Sequence, residues 1–172
     1  MTLETKIRAD AKRLGVQEPR VRTYFRLWFT SAPFRAVALV RIADRLPGGL
    51  GRVFAAHNLR SSGADVDPRA RIAEGLLLQH PVGVVIGGGC VVGRNATLMS
   101  GVVLGRKNLT AEGDRDGYPT LGENVTVGSG AIIIGPVRLG DDCVVGANSL
   151  VLKDVPAGAT VAGSPARILT KQ

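Results

Sequence analysis

The stretch LGENVTVGSGAIIIGPVRLGDDCVVGANSLV, residues 121–151, decides the fold. Within it an aliphatic residue returns at every sixth position, from Leu121 to Val151. Two earlier series share this spacing, and the full set is Val66, Ile72, Leu78, Ile86, Val92, Leu98, Leu104, Leu121, Val127, Ile133, Leu139, Val145 and Val151. Four residues after them come mostly small or apolar residues: Ala70, Leu76, Val82, Cys90, Ala96, Val102, Val125, Ala131, Val137, Cys143, Ser149 and Val155.

A period of six matches neither the 3.6 residues of an α-helix turn nor the two-residue alternation of an ordinary strand. It is typical of hexapeptide β-helices, in which each repeat supplies one short strand and one corner, and three repeats complete a triangular coil. The composition agrees, because the chain has 23 glycines for tight turns and only 4% aromatic residues. The sequence therefore predicts a mainly β fold, with a parallel β-helix domain over residues 63–172.

Two breaks in the repeat are informative. The step from Leu78 to Ile86 is eight residues, two more than the period, and it contains His80. The step from Leu104 to Leu121 is seventeen residues, and its polar middle predicts a protruding loop over residues 106–119. Long loops in compact domains are more often functional than idle. Residues 156–172 are expected to form a C-terminal tail.

The N-terminal region, residues 1–62, is predicted to be α-helical and basic. Apolar residues recur at helical spacing from Leu3 to Leu14, and Ser31 with Pro33 favours a helix start for a segment through Leu46. Residues 53–59 fit one more short helix. The aromatic residues of this region are expected to form its core: Tyr24, Phe25, Trp28, Phe29 and Phe34.

Charge is concentrated in the same region, since residues 1–60 carry a net +8 and residues 61–172 are neutral. The basic side chains are interpreted as solvated helix faces, as a dock for phosphates, or as a peripheral contact with lipid head groups. Nucleic acid is not expected as a partner, because no recognised binding motif accompanies the charge. Neither a signal peptide nor a membrane span is predicted, so a cytoplasmic location is expected.

Histidine is scarce, with only His57 and His80 in the chain. His57 lies in the helical region and is interpreted as a surface residue. His80 occupies the slip in the repeat, where the spacing alone fits a structural role as well as a catalytic one. Cys90 and Cys143 fall at small interior positions and lack metal-ligand spacing, so they are interpreted as core residues.

Residues 65–169 resemble the catalytic domain of bacterial serine O-acetyltransferases, within the hexapeptide-repeat acyltransferase superfamily. The resemblance rests on DVDP (65–68), GLLLQH (75–80), GVVIG (83–87), LG (104–105), GDR (113–115) and VAGSPARI (161–168). It implies that the β-helix is left-handed and that the chains form a homotrimer. A single trimer is preferred, because the helical domain that joins two trimers in the family is shortened here, and a hexamer stays open as the alternative.

The resemblance also implies direct acetyl transfer from acetyl-CoA to an acceptor hydroxyl, with His80 as the general base. Asp65 would accept a hydrogen bond from the other imidazole nitrogen and orient the ring. Coenzyme A would lie in a groove between subunits, and no metal is implied. The matching positions for its binding are Gly105, Ser129, Ala147, Lys153 and Arg167.

The acceptor side departs from the family pattern. Gln79 stands where the family has an acidic residue that reads the substrate, and Tyr118 stands where it has a second histidine. Arg115 matches the arginine expected to hold a substrate carboxylate. These three are the predicted acceptor-binding residues, and the missing carboxylate weakens the prediction of serine, since an ammonium group would lose its partner.

The leading prediction is an O-acetyltransferase acting on serine or a related small amino acid. A sugar, exopolysaccharide or secondary-metabolite O-acetyltransferase is the alternative within the superfamily. A noncatalytic trimeric β-helix scaffold is the alternative of another class. A zinc-dependent carbonic anhydrase of similar architecture is excluded, because its site needs three converging histidines.

Overall fold

The computed structural model describes residues 2–17, 20–47, 49–107 and 117–169. Four helices come first, α1 (Leu3–Arg13), α2 (Val21–Thr30), α3 (Ala32–Ala43) and α4 (Gly49–Ser62). The strands that follow are β1 (Asp65–Val66), β2 (Arg71–Ile72), β3 (Leu77–Leu78), β4 (Val85–Ile86), β5 (Val91–Val92), β6 (Thr97–Leu98), β7 (Val103–Gly105), β8 (Thr120–Leu121), β9 (Thr126–Val127), β10 (Ile132–Ile134), β11 (Arg138–Leu139), β12 (Val144–Val145), β13 (Leu150–Val151), β14 (Thr160–Gly163) and β15 (Ala166–Ile168). Within these ranges no helix is long and apolar enough to cross a membrane.

Capping explains where the third helix begins. The Ser31 hydroxyl accepts the amide of Phe34 at 3.3 Å, and Pro33 occupies the first turn, so the predicted start is confirmed. The predicted end at Leu46 is wrong by three residues, because the chain tightens into a turn in which the Arg45 amide donates to Ile42 at 3.1 Å. Helix α4 also begins earlier than predicted, at Gly49.

The strands form three parallel sheets that are the faces of a prism. Face A contains β1, β4, β7, β10 and β13; face B contains β2, β5, β8 and β11; face C contains β3, β6, β9, β12 and β14, with β15 added antiparallel. From β1 to β13 consecutive strands lie on successive faces, so each coil moves about 4.8 Å along the axis. The predicted fold class, a left-handed parallel β-helix with a short N-terminal helical region, is confirmed.

The prism interior is filled by the predicted aliphatic residues, since all thirteen six-spaced positions are buried. The positions four residues later are buried too, except Val82, which is 68% exposed and corrects the prediction. The two extra residues around His80 shift the register, so Val84 takes the interior place and is fully buried. Each buried aliphatic side chain contributes roughly 1.5–3 kcal/mol.

Three edges separate the faces, and each is named by a residue or segment that it carries. The histidine edge, between faces C and A, includes Gly63, His80, Gly83, Gly101, Ser129 and Asn148. The loop edge, between faces A and B, includes Gly87, Gly89, Gly105, Tyr118 and Lys153. The asparagine edge, between faces B and C, includes Gly75, Asn95, Asn124, Asp142 and Gly158.

The asparagine edge shows how turn chemistry fixes the coils. Asn95, Asn124 and Asp142 have φ angles of +58°, +57° and +58°, in the left-handed region that these side chains tolerate. Asn95 Nδ2 donates to Asn124 Oδ1 at 3.2 Å, and Asn124 Nδ2 donates to Asp142 Oδ1 at 3.0 Å. This ladder holds successive coils in register on the side of the prism opposite face A.

A buried ion pair pins the helices to the first coil. Arg41 Nε donates to Asp10 Oδ2 at 2.8 Å, and both side chains are almost wholly buried. The guanidinium group also donates to the carbonyl oxygens of Ile72 and Ala73, at 2.8 and 2.6 Å. Asp10 in turn accepts the Leu76 amide at 2.9 Å. Removing either partner would leave an uncompensated buried charge, a loss of about 3–5 kcal/mol.

The aromatic residues of the helices divide into two groups. Phe34 is buried, and Tyr24 and Trp28 pack against the same small cluster around Leu27. Phe25 and Phe29 are exposed, which corrects the prediction that all five form the core of this region. Helical spacing groups these residues on α2, but only the packing of α2 on α3 decides which side is covered.

Candidate active site

The histidine edge carries the predicted catalytic pair at its first rung. The Gln79 amide donates to the Leu98 carbonyl at 3.1 Å and ends the ladder of β3, so His80 follows at the corner and is exposed. The Gly83 amide donates to the Gly63 carbonyl at 2.8 Å. This contact joins the segment after His80 to the segment before Asp65, so Asp65, at the start of β1, borders the edge that carries His80.

The Asp65 carboxylate and the His80 imidazole are both exposed. Among the described residues, the structure records no hydrogen bond between them. The role of Asp65 in orienting the ring therefore stays a prediction. Gln79 is exposed beside His80, so an acceptor that reaches the imidazole would also meet this amide.

Below His80 the histidine edge is a strip that consists mostly of small residues, with Met99 and Asn148 as the larger ones. The Gly101 amide donates to the Val82 carbonyl at 3.0 Å, the Gly130 amide to Ser100 at 2.8 Å, and the Asn148 amide to Ser129 at 2.8 Å. Ser129 and Ala147 therefore lie on the same edge as His80, with Ala147 three rungs, about 14 Å, further along. A long, thin ligand could follow this strip with its reactive end at His80.

Ser100 belongs to this strip and was missed by the sequence reasoning. Its hydroxyl oxygen lies 3.3 Å from the Ser129 hydroxyl oxygen, so the two side chains are neighbours on adjacent rungs. The available signal was its place in the repeat, two residues after the aliphatic position Leu98, which corresponds to Ser129 after Val127.

The loop edge holds Tyr118 on a seat of glycines. A Cβ atom at Gly87 or Gly89 would collide with the Tyr118 ring, so only glycine leaves room for it. The Arg106 guanidinium carbon lies 5.7 Å from the ring centroid, within the range of a cation–π contact. The run Gly87-Gly88-Gly89 was the signal for this seat. Arg115 lies outside the described residues.

The remaining predicted cofactor residues lie away from His80. Gly105 pairs with Ile134 on face A and borders the loop edge. Lys153 and Arg167 are exposed and line one groove of about 610 Å³, beside Pro165 of the C-terminal hairpin β14–β15. The structure thus brings these two cations together, as a shared role toward phosphates requires.

The cysteines offer no competing chemistry. Burial raises the pKa of the Cys90 thiol to about 12 and that of the Cys143 thiol to about 11. Both thiols therefore stay protonated at neutral pH, and neither can act as a nucleophile there. Within the ranges that the structure covers, no group of three His, Cys, Asp or Glu side chains is placed to hold a metal ion.

The predicted acceptor residues divide between two edges of the prism. Gln79 lies with His80 on the histidine edge, whereas Tyr118 lies on the loop edge. Six residues separate the two edges, as from Gly83 to Gly89, a span of up to about 20 Å for extended chain. The two edges are on opposite borders of face A, so one chain does not place Gln79 and Tyr118 on the same edge.

The face between these edges differs from the others. Apart from Asp65 on β1, the outward side chains of face A are apolar and partly exposed: Val85, Val103, Ile132 and Leu150. Face B instead presents the exposed cations Arg71 and Arg138. An apolar outer face bordered by both halves of the predicted site suggests a contact surface.

Known proteins resemble the chain over nearly its whole length. Residues 118–153 match the profile of the bacterial transferase hexapeptide (six repeats), and residues 83–107 match that of the hexapeptide repeat of succinyl-transferase. The serine acetyltransferase of Staphylococcus aureus is 33% identical over 98% of this chain and 79% of its own length. The chain belongs to the serine acetyltransferase family.

Solved structures of the family superpose closely. Serine acetyltransferase of Neisseria gonorrhoeae in complex with serine gives a TM-score of 0.84 at 32% identity, covering 96% of this chain and 68% of that one. The Brucella abortus enzyme in complex with coenzyme A gives 0.85 at 30% identity, covering 96% and 67%. The chain spans only about half the length of two Arabidopsis thaliana relatives, 52% and 47%.

Proposed function

We propose that the protein is an acetyl-CoA-dependent O-acetyltransferase in which His80 is the general base. The observation that supports the proposal is the histidine edge, where the exposed His80 imidazole stands at one end of a strip that includes Ser100, Ser129 and Ala147, and where Asp65 borders the edge at the start of β1. Family membership supports it, because relatives of the same fold bind serine and coenzyme A.

The chemistry needs one proton acceptor that later becomes a donor. His80 would take the proton of the acceptor hydroxyl as its oxygen attacks the thioester carbonyl carbon. As the tetrahedral intermediate collapses, the new C–O bond remains, the C–S bond breaks, and the imidazolium returns the proton to the leaving thiolate. Asp65 would stabilise the imidazolium and fix the tautomer that presents a free nitrogen to the hydroxyl.

Acetyl-CoA would lie along the strip below His80. Small residues at Ser129 and Ala147 leave backbone groups accessible to the amides of the pantetheine arm, and Gly105 of the neighbouring subunit would border the arm from the other side. Lys153 and Arg167 would meet the phosphates, since they line one groove. No step of this transfer needs a metal.

A homotrimer would bring the divided site together. Three chains that pack through face A around a threefold axis form heterologous contacts, so one border of that face meets the opposite border in the next chain. The histidine edge of one chain would then lie beside the neighbour's loop edge. His80 and Gln79 would face Tyr118 of the next subunit, which would bring together residues that lie on different edges within one chain.

Serine is the leading acceptor, because a serine complex exists for a close structural neighbour. Gln79 offers a neutral amide where an acidic residue would pair with the ammonium group of serine. Other small hydroxyl compounds are therefore tested beside serine. Purified protein with acetyl-CoA should release free thiol with serine, homoserine or a sugar well above the rate with water alone. Thiol release no faster than with water for every acceptor would contradict the proposal.

A further inference from the structure

Helix α2 carries an exposed stripe that the proposed reaction does not use. The α2 stripe consists of Val21, Phe25 and Phe29, which are 85%, 69% and 66% exposed. These residues are four apart, so at about 100° per residue they share one side of the helix. The Phe25 and Phe29 ring centroids lie 5.0 Å apart, so the two rings form one continuous apolar surface.

An apolar groove runs beside the stripe. It has a volume of about 660 Å³ and is lined almost wholly by carbon atoms of α1, α2 and α3, including Ile7, Trp28 and Ile42. Glu4 is the acidic residue at its margin. The stripe and the groove together expose far more apolar surface than scattered single side chains do, which marks an interaction site.

The charge around this surface is one-sided. Between Arg20 and Ala43 the chain has five arginines and no aspartate or glutamate. Arg20, Arg22 and Arg26 are exposed and line one shallow depression, and none of the three pairs with a carboxylate within the part of the chain that the structure describes. The helical spacing puts Arg22 and Arg26 directly beside the stripe.

We propose that the α2 stripe and its arginines dock the protein on the surface of an anionic lipid bilayer. The phenylalanine rings would enter the boundary between head groups and acyl chains, while Arg20, Arg22 and Arg26 would bind lipid phosphates. A second copy of the chain fits this surface less well, because a twofold contact would place the same arginines against one another. The inference does not depend on acetyl transfer.

Vesicle sedimentation tests the docking directly. The full chain is mixed with vesicles of phosphatidylcholine alone, or with 30% phosphatidylglycerol, at low and at high salt. We expect binding to the anionic vesicles only, weakening as salt screens the charges. Trp28 is the only tryptophan and lines the groove, so its emission should shift to shorter wavelength on binding. Equal binding to both vesicles, or no binding to the anionic ones, would overturn the proposal.

Matched variants assign the binding to this surface. R22Q/R26Q should lower the partition coefficient about thirtyfold, at roughly fivefold per arginine, and F25S/F29S should lower it more than tenfold. R71Q/R138Q removes the same charge from face B and should leave binding unchanged. An equal loss in this control would overturn the proposal, as would concentration-dependent self-association without vesicles that F25S/F29S abolishes. All variants should keep wild-type acetyl transfer, which separates this test from that of the catalytic proposal.

Discussion

The histidine edge and the loop edge border the same apolar face, yet they are built in opposite ways. The histidine edge turns through glycines in the left-handed region, with φ of +75° at Gly83 and +69° at Gly101. Below the first rung its side chains are small apart from Met99 and Asn148. The loop edge instead uses glycines as a seat for the bulky Tyr118 ring. One edge therefore offers a bare strip with a base at its end, and the other offers large polar and aromatic groups.

This difference shows why one chain is not expected to make a complete site. A base and a cofactor strip position the reaction, but selecting an acceptor requires side chains that converge on it from the opposite direction. Tyr118, the predicted acceptor residue on the loop edge, lies across face A from His80 of the same chain. In the proposed trimer it would instead approach His80 of a neighbouring subunit, so trimer formation would be necessary for the reaction.

The largest effect is expected from removing the base of the histidine edge. His80→Ala should lower acetyl transfer by about 10²- to 10⁴-fold, the usual contribution of a general base, as measured by free coenzyme A release. His57→Ala is the matched control, since His57 is exposed on α4, and it should keep full activity. A His80→Ala variant that retains its biological role would favour the noncatalytic scaffold.

A smaller effect is expected from Asp65→Asn. A hydrogen bond to a charged group contributes about 1.5–3 kcal/mol, so transfer should fall roughly 10- to 150-fold. The loss should appear in kcat rather than in KM, because the imidazole loses the group proposed to orient it. An unchanged kcat would show that Asp65 does not act on His80.

On the loop edge, Gly89→Ala should displace Tyr118 and lower activity roughly tenfold, since small misplacements at a site are costly. The double variant Gly89→Ala/Tyr118→Ala should lose no more activity than Tyr118→Ala alone, because the ring that the new methyl group meets is then absent. Gly49→Ala, where nothing lies within 4 Å, is the control. Additive losses of activity in the double variant would contradict the claim that Gly89 acts by leaving room for the Tyr118 ring.

The smallest effect concerns stability at the first rung of the loop edge. Burial raises the pKa of Asp67, but hydrogen bonds and charge from Arg69 outweigh it, so the net pKa is lowered. Because the folded-state pKa is lowered, the charged carboxylate stabilises the folded state fully above the ordinary carboxyl pKa. This stabilisation is lost as the pH falls through the lowered folded-state pKa. Asp67→Asn should therefore cost less than about 1 kcal/mol at pH 7, as this ion pair is largely exposed. Urea unfolding should show the difference shrinking as the pH falls below about 4 and absent once the pH is below the lowered folded-state pKa; a difference that persists there would contradict this account.

Most of the prism could be predicted from sequence, because the period of six is a direct consequence of its geometry. All thirteen aliphatic positions were placed inside correctly. Val82 was wrongly expected inside the prism because the two extra residues around His80 shift the repeat. Only the conformation of that turn shows that Val84 takes the interior place. Phe25 and Phe29 were misplaced because helical spacing does not reveal which side of a helix its neighbours cover.

The site was predictable residue by residue but not in its arrangement. The slip in the repeat singled out His80, and resemblance supplied Asp65 and the cofactor positions. That Gln79 and Tyr118 lie on different edges follows from how the faces succeed one another, which depends on the three-dimensional path of the coil. Ser100 escaped notice because a serine at a corner carries no distinctive pattern.

A shared site is tested most directly by mixing two defective chains. His80→Ala and Arg115→Ala/Tyr118→Ala chains, each with its own tag, are co-expressed, and trimers containing both are purified by the two tags in turn. In a ring where each site joins the histidine edge of one chain to the loop edge of the next, every mixed trimer holds one intact site of three, so activity should return to about one third of wild type. Activity no higher than that of the two defective parents would show that each site lies within a single chain.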